Sequence, residues 1–142
     1  LELSRVCPAD IFLLNKGQDT SKKIFQLTEG RGADLVITAC PSPAAQVQAL
    51  EIVAKRGAVN FFGGLPRENS IIKIDTNLIH YKEFKVVGTH GSTPVQAKEA
   101  LQMIQNQIDI KKYITSSYKL KNINEAFKSS FDRNQLKILI KP

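Results

Sequence analysis

Three short apolar runs, Ile11 to Asn15, Asp34 to Ala39 and Ala58 to Phe62, set the tightest limit on how this chain folds. Each is too short for a helix and near-continuous in apolar residues, which is how a strand reads when both its faces are buried. Helix signals fill the intervals. After the turn at Lys16-Gly17, Asp19 offers an N-cap, Ile24, Leu27 and Thr28 have helical spacing over Lys22 to Thr28, and Gly30 stands where a C-cap would. Ser42-Pro43 then supplies a cap and a first-turn proline, with Val47, Leu50 and Ala54 as an inward stripe and Gly57 as the stop. Strand, helix, strand, helix, strand is the order of a parallel sheet with helices on both faces, so the expected fold class is α/β.

The rest of the chain changes character. A less regular stretch from Ile71 to Asp75 leads through Asn77 to Tyr81 into another strand, Phe84 to Gly88. Thr93 and Gln96 have the spacing of a capping box, Pro94 sits in the first turn, and Ala97, Ala100, Leu101 and Ile104 form the stripe expected to be buried. Asn122 and Glu125 repeat the box spacing ahead of Ile123, Ala126 and Phe127. Leu136, Ile138 and Ile140 alternate with Lys137 and Lys141 as a closing strand should. The opening Leu1 to Val6 reads as the inside of an amphipathic helix, so the chain is expected to begin within an element of something longer.

A chain of 142 residues buries one core rather than two. Its 42% hydrophobic and 23% charged residues are ordinary for a soluble globular protein. No apolar run approaches the roughly 18 residues of a membrane span, and nothing resembles a signal peptide, so a cytoplasmic protein without membrane contact is expected. Cys7 and Cys40 have neither Cys-x-x-Cys spacing nor a His cluster beside them and read as reduced thiols. The net charge of +7 raises the question of nucleic acid. Its lysines are spread along the chain without a dense tract or interleaved aromatics, so no nucleic-acid partner is expected.

In an α/β fold, ligands meet the carboxyl ends of the strands. Three loops fall there: Ala39 to Ser42, Phe62 to Pro66 and Gly88 to Gly91. Gly63-Gly64 would let a flat ring or ribose approach the backbone, though paired glycines are also ordinary turn residues. No Gly-x-Gly-x-x-Gly, Walker loop, Gly-x-Ser-x-Gly, His-Glu-x-x-His or zinc-spaced Cys/His/Glu set occurs, so no catalytic residue and no metal ligand is assigned. His80 reads as a partly exposed structural residue. His90 lies in the loop after a strand, without a carboxylate partner, and reads as structural or cofactor-adjacent. Cys40 reads as a packing residue, since nothing in the sequence lowers its pKa.

Several segments are more specific. Gly30 to Ile37, Gly63-Gly64-Leu65-Pro66, Asn77 to Glu83, Val87 to Pro94, Ile123 to Phe127 and Leu136 to Pro142, in this order and spacing, resemble the medium-chain dehydrogenase family, above all its zinc-dependent polyol and threonine dehydrogenases. The resemblance implies a partial Rossmann fold, a doubly wound parallel sheet lacking its first two strands, over residues 1–91. Residues 92–142 would be a C-terminal segment of the catalytic domain. Zinc ligands, the glycine-rich turn and the residue selecting NAD or NADP would lie outside the chain. Within it, Ala39 and Cys40 would line the adenosine side, although the family usually has a glycine near the Pro41 position. Phe62, Gly63, Gly64, Val87 and Thr89 would present backbone groups to the carboxamide and its ribose. Lys137, by local pattern an outward lysine, matches a basic residue that reaches the pyrophosphate.

The implied activity is hydride transfer between an alcohol or polyol and NAD or NADP in a zinc enzyme that forms a homodimer or homotetramer, the dimer pairing through Phe84 to Gly88. The chain alone would be inactive. The alternative is a stand-alone interaction or anion-binding module without catalysis. Ile11 to Asn15 would be the third strand of the sheet and Leu35 to Ala39 the fourth, roughly 14 Å apart in an intact sheet. Closing such a gap requires an additional segment, a pairing of those two strands or another copy's open edge.

Overall fold

Parallel strands need a crossover between them, and the computed structural model, which describes residues 3–132 and 134–142, provides two in succession. Strands β1 (Ala33–Thr38), β2 (Val53–Phe61) and β3 (Lys85–Gly88) lie side by side in that order, all parallel. Helix α2 (Pro43–Ile52) links the first pair and α3 (Asn77–Lys82) the second. Val36, Val59 and Val86 stand in register across the sheet, and Ile37, Asn60 and Val87 form the next row, on the opposite face.

The first row meets the helices. Ala49, Leu50, Val53, Val59 and Phe84 form the buried core, with Val36, Phe61, Ile72, Leu78 and Ile79 packed against it. Each such large side chain contributes about 1.5–3 kcal/mol by leaving water. The second row has no such cover: Leu35 is 58% exposed and Ile37 54%. Among the described residues, helices therefore cover one face of this sheet, where the sequence alternation led to an expectation of two.

Ile11 to Asn15 is not a strand, which corrects the sequence reading. The polar groups of its second half are taken by α1 (Gln18–Leu27) and α2. The Thr20 hydroxyl donates to the Leu14 carbonyl and accepts from the Lys16 N–H, while the Asn15 amide donates to Gln48 Oε1 at 2.7 Å. The Leu14 carbonyl is thus engaged with α1 rather than with β1. The cap of α1 is Gly17 rather than Asp19, which lies in the first turn. At its other end Glu29 takes the left-handed conformation, with φ 53°, and Gly30 follows it with φ 82°. The Gly30 N–H then reaches back to the Phe25 carbonyl at 2.7 Å, a Schellman closure.

Helix α2 is capped as its sequence predicts, Ser42 Oγ accepting from the Ala45 N–H. It stops at Ile52, five residues before Gly57, and Ala54 belongs to β2 rather than to the helical stripe. The cause is the terminus of α2, whose carbonyls find another partner: Lys82 Nζ donates to Glu51 O at 2.6 Å and to Val53 O at 3.1 Å. Burial there pushes the Lys82 pKa down, partly offset by the Glu51 carboxylate. Beside it Glu83, with φ 55°, ends α3 and pairs with Arg56 and Lys55. Helix α3 was not legible as a helix in the sequence.

The chain divides into two compact units, Leu14–Gly91 and Ser92–Pro142 with the opening residues up to Leu13. In the second, β4 (Ile114–Lys119) and β5 (Lys137–Lys141) pair in parallel around α5 (Ile123–Ser129). The Gln135 side chain accepts from the Thr115 and Ser116 hydroxyls and fixes the entry to β5. The same unit carries α4 (Pro94–Asn106), whose capping box is complete: Gln96 N–H donates to Thr93 Oγ1 and Thr93 N–H to Gln96 Oε1. Its expected stripe is not buried, Ala97, Ala100 and Leu101 being exposed and Ile104 half-buried, because no described element packs over it. The second box fails, since Asn122 caps α5 without a side-chain hydrogen bond. On α5 Ala126 is buried while Phe127 stays exposed.

Candidate functional site

Because β1, β2 and β3 are parallel, their carboxyl ends and the loops that leave them share one edge of the sheet. The loop after β2 is fastened to the loop after β1. Gly63 N–H donates to the Thr38 carbonyl at 2.7 Å, and a Cβ built on Gly63 would stand 2.8 Å from the Cys40 backbone nitrogen. Only glycine allows that approach. Gly64, the next residue, is different: nothing lies within 4 Å of where its Cβ would be. The paired glycines therefore have separate tasks, the first closing one loop on another and the second leaving its backbone open.

Two side chains that sequence reasoning did not single out hold these loops. Gln46, on α2 and buried to 6% exposure, donates from Nε2 to the Gly63 carbonyl at 3.3 Å. Asn60, on β2, accepts from the Thr89 hydroxyl through Oδ1 at 3.3 Å, and the Thr89 N–H reaches the Phe61 carbonyl at 3.4 Å. Only the second had a signal in the sequence, a polar residue inside an apolar strand.

The expected cofactor residues Ala39, Cys40, Phe62, Gly63, Gly64, Val87 and Thr89 all belong to the loops or strand ends of this edge. Phe62 is 62% exposed, and Ala39, Cys40, Gly64, Val87 and Thr89 are exposed as well. Lys137 lies in the other unit, at the start of β5, exposed. His90 is exposed in the loop after β3, and His80 stacks edge-on with Tyr81 at 4.8 Å between ring centres.

A cleft of about 500 Å³ between α1 and α2 is a concave feature of this unit. Its polar groups are engaged with one another, Gln48 Nε2 donating to the Gly17 carbonyl and to Ser21 Oγ. The strand-end loops, with Gly64 open, are the better candidate.

Among the described residues no three His, Cys, Asp or Glu side chains are grouped to hold a metal ion. The side chains present do not fit a zinc centre. What the loops can do chemically is present backbone donors and acceptors, next to the exposed Phe62 ring, to a planar polar ligand.

Residues 2–106 match a family model described as zinc-binding dehydrogenase. The chain belongs to that family. Among curated relatives, the D-arabitol-phosphate dehydrogenase of Enterococcus avium is 26% identical over 141 residues, which is 99% of this chain and 40% of that protein. A sorbitol dehydrogenase of Halalkalibacterium halodurans is 24% identical over 125 residues, 87% of this chain and 36% of that one. The benzyl alcohol dehydrogenase of Acinetobacter calcoaceticus superposes with a TM-score of 0.86 at 22% identity, covering 99% of this chain and 39% of that chain. Zinc-binding dehydrogenases thus share its α/β fold with parallel sheets, which matches the C-terminal part of their structures. This chain spans about 40% of the length of the relatives it matches. No helix in the described residues is long and apolar enough to cross a membrane.

Proposed function

We propose that this chain supplies the nicotinamide-side wall of an NAD(P) site in a zinc-dependent alcohol or polyol dehydrogenase acting in the cytoplasm. Residues 1–91 would belong to the dinucleotide-binding domain and 92–142 to the catalytic domain. The observation that carries the reading is the strand-end edge, where Gly63 closes on Cys40 and leaves the Gly64 backbone open beside Phe62. A bound NAD(P) would supply the hydride acceptor for oxidation of an alcohol. The residues of this chain orient it: Gly63, Gly64, Val87 and Thr89 through backbone groups at the carboxamide and ribose, Phe62 flanking them, and Ala39 and Cys40 toward the adenosine. Lys137 would serve the pyrophosphate as a point charge. Phosphate cradle and zinc ligands would come from a preceding segment, and a homodimer would form through the outer edge of β3, where Val86 and Val87 are partly exposed.

The bare row of Leu35 and Ile37 favours the competing reading, an interaction module without catalysis. Activity distinguishes the two. The purified chain is expected to leave NAD and NADP unreduced with sorbitol and simple alcohols and to retain no zinc. Joined to its upstream reading frame, with Gly-x-Gly-x-x-Gly and a Cys/His/Glu zinc set, it is expected to turn over. Turnover or stoichiometric zinc in the chain alone contradicts this division of labour, and a start codon near Leu1 favours the module.

A further inference from the structure

The peptide joining Gly63 to Gly64 has glycine on both sides, so neither flank restricts its rotation and its plane is the freest in the loop. One side chain holds it. Gln46 reaches from α2, across 17 residues of sequence, and donates Nε2 to the Gly63 carbonyl at 3.3 Å. Gln46 is itself fixed, being 6% exposed with its N–H on the Ser42 carbonyl, and α2 is anchored by the Ser42 cap. In a planar trans peptide the next N–H points opposite to the carbonyl, and no peptide in the chain is cis. With the Gly63 carbonyl turned inward to Gln46, the Gly64 N–H faces the other way, on a residue that is exposed. It finds no acceptor among the described residues.

We infer that Gln46 is a positioning residue: by holding the Gly63 carbonyl it presents the Gly64 N–H as a preset donor to an acceptor oxygen on the nicotinamide half of the cofactor. The assignment rests on the cofactor reading above and adds the residue that orders the wall. Gln46 touches no ligand itself. Its removal leaves the fold standing and lets the Gly63–Gly64 peptide rotate, so the cost falls on binding.

The test is amide NMR of the chain titrated with nicotinamide mononucleotide, in wild type, in Gln46→Met, which keeps length and burial without the donor, and in Gln46→Ala. Wild type is expected to shift at Gly63 and Gly64. Both variants are expected to keep the dispersed spectrum of the core, to show a displaced and faster-exchanging Gly64 amide without ligand, and to bind the mononucleotide roughly fivefold more weakly, the loss of one hydrogen bond. A variant pair with wild-type affinity and an unmoved Gly64 amide overturns the role of Gln46 alone. Absence of any response at Gly63 and Gly64 in wild type overturns the cofactor reading, and this inference with it.

Discussion

The two units are built from the same parts, parallel strands with a helix between them, yet they bury very different amounts. Among the described residues, the buried hydrophobic side chains Ala49, Leu50, Ile52, Val53, Ala54, Val59 and Phe84 lie in Leu14–Gly91, and Ala126 alone in the other unit. The difference follows from the strands. In β2 the sequence Val53-Ala54 and Val59 puts apolar side chains under two helices, whereas β4 reads Ile-Thr-Ser-Ser-Tyr-Lys and alternates half-buried with exposed positions. The first unit stands on its own core. The second holds its two strands largely through backbone pairing and the Gln135 hydrogen bonds, and shows Phe127, Phe131 and Leu101 to solvent. A loop site that needs backbone groups held to a few tenths of an ångström belongs on the first kind of scaffold.

The sharpest way to break this contrast is truncation of one aromatic in each unit. Phe84→Ala removes a side chain 4% exposed in the core. It is expected to cost about 3–5 kcal/mol in urea unfolding. Phe127→Ala, at 64% exposed, is expected to stay within about 0.5 kcal/mol of wild type. Equal costs would mean that the second unit has a core of its own.

The next contrast lies within the loop. Gly63→Ala drives a Cβ against the Cys40 backbone and is expected to destabilise by about 1–3 kcal/mol. Gly64→Ala, in open space, is expected to change stability by less than about 0.5 kcal/mol. Thermal melts of the pair check this, and the reverse order would exchange the tasks of the two glycines. A smaller effect separates the two helix starts. Thr93→Ala breaks a complete capping box and is expected to cost about 1 kcal/mol. Asn122→Ala removes a side chain that makes no cap bond, with an expected change below about 0.5 kcal/mol.

The smallest effect is one of pH. Hydrogen bonds from Arg56 and then Lys55, with their charges, hold the Glu83 carboxyl below its ordinary pKa. A lowered folded-state pKa means that Glu83 stabilises the fold above the unfolded carboxylate pKa, and that this contribution fades as pH falls through the folded value. Glu83→Gln is expected to flatten the acid limb of stability slightly. A Glu83 titration by NMR at or above the ordinary value would remove the effect.

Much of the first unit was legible in sequence because its signals are local. The apolar run of β1 and the Ser42 cap each depend on residues within a few positions of one another, as does the Thr93–Gln96 box of the second unit. Ile11 to Asn15 misled for the same reason: its apolar run is real, but a strand needs a neighbour, and here the Leu14 carbonyl accepts from the Thr20 hydroxyl while the Asn15 side chain donates to Gln48. Strand β4 went unseen because Thr and Ser interrupt it, and α3 because its short run has no side-chain cap. In the candidate site the glycine loop stood out, while Gln46 did not. A glutamine in a helix reads as surface, and only the fold brings its amide to a carbonyl 17 residues away.

The most direct test of the central claim, that the strand-end edge of Leu14–Gly91 is a nicotinamide wall, is the amide map of the chain titrated with NAD. The account expects Phe62, Gly63, Gly64, Val87 and Thr89 to shift together along one saturation curve, while Gly17, Ser21 and Gln48 in the cleft between α1 and α2 stay still. Shifts confined to that cleft, or none at the glycine loop, would contradict it.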